Sequence, residues 1–141
     1  MSAVLVPVDG SKNALRALDY AVQQARRLKM KVHLLNVQLP PVTYGVVPAY
    51  LNSQEYREMA AQHAQAILKP AAGRVRRAHV ACMTHVVYDE IAPAIVRTAR
   101  RLGCDWIVMG TRGLGAIGNL LLGSIATKVI HLARTPVTLV K

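Results

Sequence analysis

Phenylalanine is absent from this chain of 141 residues, and its other aromatic rings are one tryptophan and five tyrosines. Scattered along the sequence, these rings form no stacking platform for single-stranded nucleic acid. Cysteine is scarce too. Cys82 and Cys104 are too few for a disulfide framework and are expected as reduced thiols, in or beside buried strands. Acids number seven against eighteen lysines and arginines, and none follows Asp105. No Ser-His-acid or Cys-His arrangement can be assembled from the spacing, so the chain lacks the usual equipment of an efficient hydrolase. No apolar run approaches the roughly 20 residues that span a bilayer. The N-terminus has no basic region, long apolar segment or cleavage site, which makes a cytoplasmic location the expectation.

What is present is a hydrophobic content of 52% with 18% charged residues, which excludes a disordered chain. The length fits one domain over residues 1–141, with no internal repeat, low-complexity segment or linker. A net charge of +11 attracts anions. The clusters Arg26-Arg27-Lys29-Lys31, Arg74-Arg76-Arg77 and Arg97-Arg100-Arg101 fall near expected helix ends, where cations face the last carbonyls. On that reading the charge is not gathered on one surface, and nucleic acid is not an expected partner.

Apolar periodicity predicts alternating strands and helices. Ala3 to Val8 reads as a first strand, closing in Asp9-Gly10-Ser11 with Ser11 as a helix cap. Ala14, Leu15, Leu18, Ala21, Val22, Ala25 and Leu28 then recur at helical steps. Lys31 to Val37 is the second strand, and its lone His33 is expected to be a hydrogen-bonded structural residue. The uncharged stretch Gln38 to Asn52 reads as a loop or flap. A helix from Ser53 follows, which Pro70 should kink or end. His63 on it is expected at the surface or in a groove. His79 to Val87 is the third strand, and a further helix runs to about Arg101, stopped by Gly103, with Asp89 and Glu90 as charge partners at its start. A last helix from about Gly123 to Ala133 and a last strand, Pro136 to Val140, complete an α/β sandwich with a mostly parallel sheet.

The most informative stretch follows the fourth strand, where Trp106 to Met109 leaves no polar position for a solvated face. Five glycines then occur within fourteen residues: Gly110, Gly113, Gly115, Gly118 and Gly123. Removing side chains there lets backbone N–H groups approach an anion, and Gly123-Ser124 opens a helix whose positive end faces the same place. Gly118 to Ile125 has Walker A glycine spacing, but Ser124 stands where the phosphate-binding lysine belongs. Gly113 to Gly118 satisfies GxGxxG, but no ribose-binding acid follows, as a dinucleotide site requires.

The remaining spacing, Gly110-x2-Gly113-x9-Gly123-Ser124, resembles the ATP-binding branch of the universal stress protein family. The resemblance covers essentially the whole chain, through VLVPVDGS, a strand ending in Asn36-Val37, DWIVMGTRG, GNLLLGSIATKVI and RTPVTLVK. It implies a doubly wound five-stranded sheet in the order 3-2-1-4-5, of the adenine nucleotide alpha hydrolase-like kind. Ligands bind such sheets at the switch point between the first and fourth strands, which brings Pro7, Val8 and Asp9 to the same crevice as Gly110. The resemblance further implies Val37 beside the adenine of ATP and Asp9 at the base or ribose. Backbone N–H groups around Gly110, Arg112, Gly113, Gly123, Ser124 and Ile125 would hold phosphates, with Mg2+ as companion ion and Met109 as pocket wall or core. Asp9 and Ser124 have a plainer reading as caps of the first and last helices. Binding with slow or no hydrolysis is preferred over a genuine ATPase, and pairing through the last strand would give a homodimer.

Overall fold

The computed structural model describes residues 1–40, 53–113 and 122–141. Five strands and four helices alternate: β1 (Ala3–Pro7), α1 (Lys12–Leu28), β2 (Lys31–Gln38), α2 (Ser53–Arg77), β3 (Cys82–Tyr88), α3 (Ile91–Arg101), β4 (Trp106–Gly110), α4 (Ser124–Leu132) and β5 (Val137–Val140). All pairings are parallel, in the order β3-β2-β1-β4-β5. The expected topology is therefore the observed one. The flap expected between Gln38 and Asn52 lies outside the described residues from position 41 onward, as do Gly115 and Gly118.

Strand alternation sorts the core into two layers. Val4, Val6, Val32, Leu34 and Val108 face α1 and α2, meeting Leu18, Ala21, Leu68 and Val75. Their neighbours Leu5, Leu35, Ile107 and Met109 face α3 and α4, meeting Ile95, Ala99, Ala126 and Val129. A period of two in β1 thus supplies both sides of the sheet. Small residues at Ala17, Ala21 and Ala25 are buried on α1, where its stripe meets the sheet.

Helix ends follow local chemistry in most places. The Ser11 hydroxyl accepts the Ala14 N–H at 3.1 Å, and Gly103 takes φ +64° just beyond α3. Pro70, expected to kink or end the second helix, does not end it, because α2 continues to Arg77. Leu68, Ala71, Ala72 and Val75 are buried around it, and that burial offsets the roughly 3 kcal/mol cost of an interior proline. This longer helix also moves the start of the third strand from the expected His79 to Cys82; His79 itself adopts φ 58° in the intervening turn.

One expectation about charge is overturned. Basic residues do fill the last turns of α1, α2 and α3. In an all-parallel sheet, however, every connecting helix runs back to the strands' amino edge, so those ends converge. Apart from Arg97, which pairs with Asp89 beyond the carboxyl end of β3, the basic clusters occupy one pole of the molecule, opposite the carboxyl ends of the strands.

Candidate functional site at the carboxyl edge of the sheet

At the carboxyl edge, α1 packs on one face of the sheet and α4 on the other, with a crevice between them. A cavity of about 600 Å³ occupies it, within the usual range for small-molecule sites of about 300–1,000 Å³. The ends of β1 (Pro7, Val8, Asp9), β2 (Val37) and β4 (Met109, Gly110) line it. Arg112, Gly113, Gly123, Ser124 and Ile125 line it as well. These residues, each singled out from the sequence, thus reach one space. Tyr56, His63 and Ile67 of α2 and Ile91 and Ile95 of α3 complete it. The α2 residues were not legible as site residues, since a helix carries no sign of which strand end it will overhang.

The strand ends are held by side-chain amides. Asn36, 2% exposed, donates from Nδ2 to the Val8 carbonyl at 2.9 Å, while Gln38 Nε2 donates to Asn36 Oδ1 at 2.6 Å. Tyr56 donates its hydroxyl to the Leu39 carbonyl at 3.0 Å, which fixes α2 to the outgoing end of β2. The Asp9 carboxylate accepts the Ser11 N–H at 2.9 Å. It therefore braces the turn before α1, while Ser11 makes the helix cap.

Asn13 is the unforeseen member of the site. It is buried, accepts the Arg112 backbone N–H on Oδ1 at 2.8 Å and donates from Nδ2 to the Val140 carbonyl at 3.2 Å. The same carbonyl accepts the Thr111 N–H at 3.0 Å, and the Thr111 carbonyl accepts the Gly123 N–H at 2.7 Å. One network thus joins α1, the end of β4, the start of α4 and the end of β5. Nothing in a lone asparagine on a helix announces partners a hundred residues away.

This network gives the glycines a reason different from the expected one. A Cβ on Gly110 would lie 2.2 Å from Asn13 Oδ1, one on Gly113 would lie 2.6 Å from Asp9 Oδ2, and one on Gly123 would lie 3.3 Å from the Thr111 carbonyl. Each missing side chain first makes room for the protein's own atoms. Two of the expected anion donors, the N–H groups of Arg112 and Gly123, are already bonded internally.

Gly123 is the N-cap of α4, so Ser124 is the first helical residue rather than the cap. The first intrahelical bond runs from Thr127 N–H to the Gly123 carbonyl, and no side chain caps the helix. Ser124, Ile125 and Ala126 line the cavity, and their N–H groups are orphan donors of the first turn. Their partial positive charge favours an anion there. Asp9 supplies the sole carboxylate among the described lining residues. Among the described residues no group of three or more His, Cys, Asp or Glu could hold a metal ion.

The histidine of β2 takes no part in the cavity. His33 Nδ1 lies 2.9 Å from His85 Nε2 of β3, and burial holds both rings below the usual histidine range. His33 Nε2 is buried without a hydrogen-bond partner among the described residues. Cys82 and Cys104 are both free, and burial, with Asp105 adding to it, pushes the Cys104 thiol up to about 11.

The model of the universal stress protein family matches residues 1–141. A universal stress protein of Thermus aquaticus, from the QAH/OAS sulfhydrylase 3′ region, is 35% identical over 145 residues, covering 98% of this chain and 97% of that protein. Among solved structures, the universal stress protein UspA of Lactobacillus plantarum is similar in fold, with a TM-score of 0.85, 24% identity and coverage of 99% of this chain and 97% of that one. A universal stress protein in complex with cAMP has a TM-score of 0.75 and 30% identity, covering 99% and 97% of the two chains. This chain, with its 3-2-1-4-5 parallel sheet and its glycine-lined crevice at the switch point, belongs to the universal stress protein family.

Proposed function

We propose that the chain is a nucleotide-binding regulatory module, one domain over residues 1–141, that takes ATP in the β1/β4 crevice and turns it over slowly or not at all. The observation that carries this reading is the cavity itself. Its lining combines apolar side chains, Val37, Ile67 and Ile95 among them, with the open first turn of α4. The apolar lining suits a purine, and the amides of Ser124, Ile125 and Ala126 suit phosphate. Arg112 adds a cation to the lining, and the Ser124 hydroxyl a further donor. A solved relative 30% identical to this chain is in complex with cAMP. A mononucleotide such as AMP or cAMP is the second reading, favoured by the internal engagement of the Arg112 and Gly123 amides, which removes two of the expected phosphate donors.

Mg2+ fits as a companion of ATP, since this ion is commonly held by one carboxylate, water and the substrate's phosphates. Asp9 would hold it. Efficient hydrolysis needs in addition a group that activates water, and the described lining contains no second carboxylate. Physiologically the module would work in the cytoplasm, in stress response, as a homodimer joined through the last strand, Pro136 to Val140. Calorimetry and thermal shift with Mg-ATP, AMP, cAMP and adenosine test the reading. ATP is expected to raise the unfolding midpoint in proportion to saturation. Phosphate release is expected below about 1 per second, the low end of ordinary turnover. No shift and no binding heat at millimolar nucleotide, with the protein folded, overturns nucleotide binding; faster release makes the protein an ATPase.

A further inference from the structure

The pole opposite the cavity is the most strongly charged surface of the molecule. Arg26, Arg27 and Lys29 close α1, and Lys31 opens β2 beside them. Arg74, Arg76 and Arg77 close α2, while Arg100 and Arg101 close α3 on the other side of the sheet. Arg134 follows α4. Ten of the eighteen lysines and arginines thus stand at the amino edge of the strands. All of them are exposed except Lys31, which is half-buried. Asp105 is the one acid at this edge among the described residues, and its carboxylate already accepts the Ala3 N–H at 3.1 Å. Asp19, farther up α1, pairs with Arg74 at 2.9 Å; the other nine cations have no ion pair among the described residues.

Burial sets the net shifts of four groups in and beside the strands, lowering His33 and His85 and raising Cys82 and Cys104. Within those shifts Lys31 favours the less positive state of His33 and Cys104, Arg76 that of Cys82 and Arg101 that of His85. Each helix end contributes about half a negative charge, far less than the cations around it. Gathering so many like charges also costs self-repulsion, which an anionic partner would relieve.

We infer that this pole is a docking surface for the phosphate backbone of double-helical nucleic acid, separate from the nucleotide crevice and independent of it. Charge complementarity selects a polyanion, and eight of the ten cations are arginines, whose guanidinium forks suit phosphate oxygens. Five strands spaced about 4.8 Å apart make an edge roughly 19 Å wide, enough to follow the phosphate rows flanking a groove about 12 Å across. The helices meet this surface by their carboxyl ends, so none can lie in a groove and read bases, and recognition is of the backbone alone. Trp106 donates to Thr138 from a half-buried position and is not offered for stacking, which disfavours single strands. Of the large apolar side chains exposed near this edge, Met1, Leu28 and Met83 stand on different segments, and Ile130 and Leu132, two residues apart on α4, do not share a helix face, which disfavours insertion into a membrane.

The test uses two double variants of the full chain that lower the net charge equally: Arg76→Glu/Arg101→Glu at the pole, and Lys69→Glu/Lys141→Glu away from it. Fluorescence polarisation with 20-base-pair DNA and RNA duplexes is measured from 50 to 200 mM salt, with phosphatidylserine vesicles as a separate arm. The native chain is expected to bind duplexes of unrelated sequence with steep salt dependence. The pole variant should lose at least tenfold in affinity and flatten the salt slope by about 2, while the distal variant stays within about threefold of native. Arg76→Gln/Arg101→Gln replaces the charge reversal if circular dichroism shows that variant unfolded. Absence of duplex binding at 50 mM salt, equal losses in the two variants, or binding to vesicles alone overturns the inference. Nucleotide-induced thermal shift should be the same in all variants, so failure here leaves the crevice reading standing.

Discussion

At the scale of single residues, the site depends on side chains whose partners lie far away in sequence. Asn13 holds the Arg112 amide and the Val140 carbonyl together. Asn13→Ala is expected to cost about 2 kcal/mol, from two buried hydrogen bonds and an unpaired Arg112 N–H. ATP affinity should fall more than adenosine affinity, because the loop that Asn13 aligns faces the phosphate end; urea unfolding and calorimetry measure both. The His33–His85 pair makes a different prediction. Burial first, then neighbouring positive charge, lowers both folded-state affinities for protons, with His85 and Lys31 acting on His33 and Arg101 on His85. The unfolded chain therefore binds more protons as pH falls below the usual histidine value of about 6.5. Stability is fully present above that pH and is lost as pH descends toward the depressed folded values. Thermal midpoints should fall between pH 7 and 5.5 in the native protein, and the fall should be shallower in His33→Leu/His85→Leu; parallel curves would remove the pair from the account.

At the scale of elements, the proposed phosphate site rests on the start of α4, where Gly123 is the N-cap. A side chain at this position meets the Thr111 carbonyl and the Arg112 Cα, at 3.3 and 3.5 Å from the added Cβ. Gly123→Val is therefore expected to displace the wall of the cavity as well as crowd the first turn. ATP binding should be lost selectively over adenosine, with destabilisation beyond the about 1 kcal/mol of helix propensity. Equal ATP affinity in native and variant proteins, both folded by circular dichroism, would move the phosphates away from this helix end. Gly110, Gly113 and Gly123 do line the cavity, but room for an anion is not the whole reason for their spacing. A sequence shows that a Cβ is missing but not which atom takes its room, and here Asn13, Asp9 and Thr111 do so.

At the scale of the whole molecule, β5 is an edge strand, and all four of its residues are half-exposed. An open edge of this kind invites pairing, and two copies joined through it would form one continuous sheet with isologous symmetry. Light scattering at tens of micromolar is expected to give a dimer for the native chain and a monomer for Leu139→Glu. Leu139 packs partly against the α3 and α4 layer, so circular dichroism must accompany the measurement. A native monomer, or a dimer unchanged in the folded variant, would place the interface elsewhere or remove it.

Local patterning determined the order and kind of the elements: Val4 to Val6 and Trp106 to Met109 are apolar on both faces, and the α1 stripe repeats at helical spacing. The glycine spacing, with the strand end at Asp9, located the crevice, because parallel α/β sheets open only at their switch point. Sequence could not reveal where distant elements meet. The overhang of Tyr56 and Ile67, the bridge through Asn13 and the His33–His85 contact each join segments tens of residues apart, and none leaves a local signal. The basic pole shows this most plainly. Each cluster is an ordinary helix end when read alone, and parallel connection brings the helix ends to one edge, turning three local charge patterns into one surface.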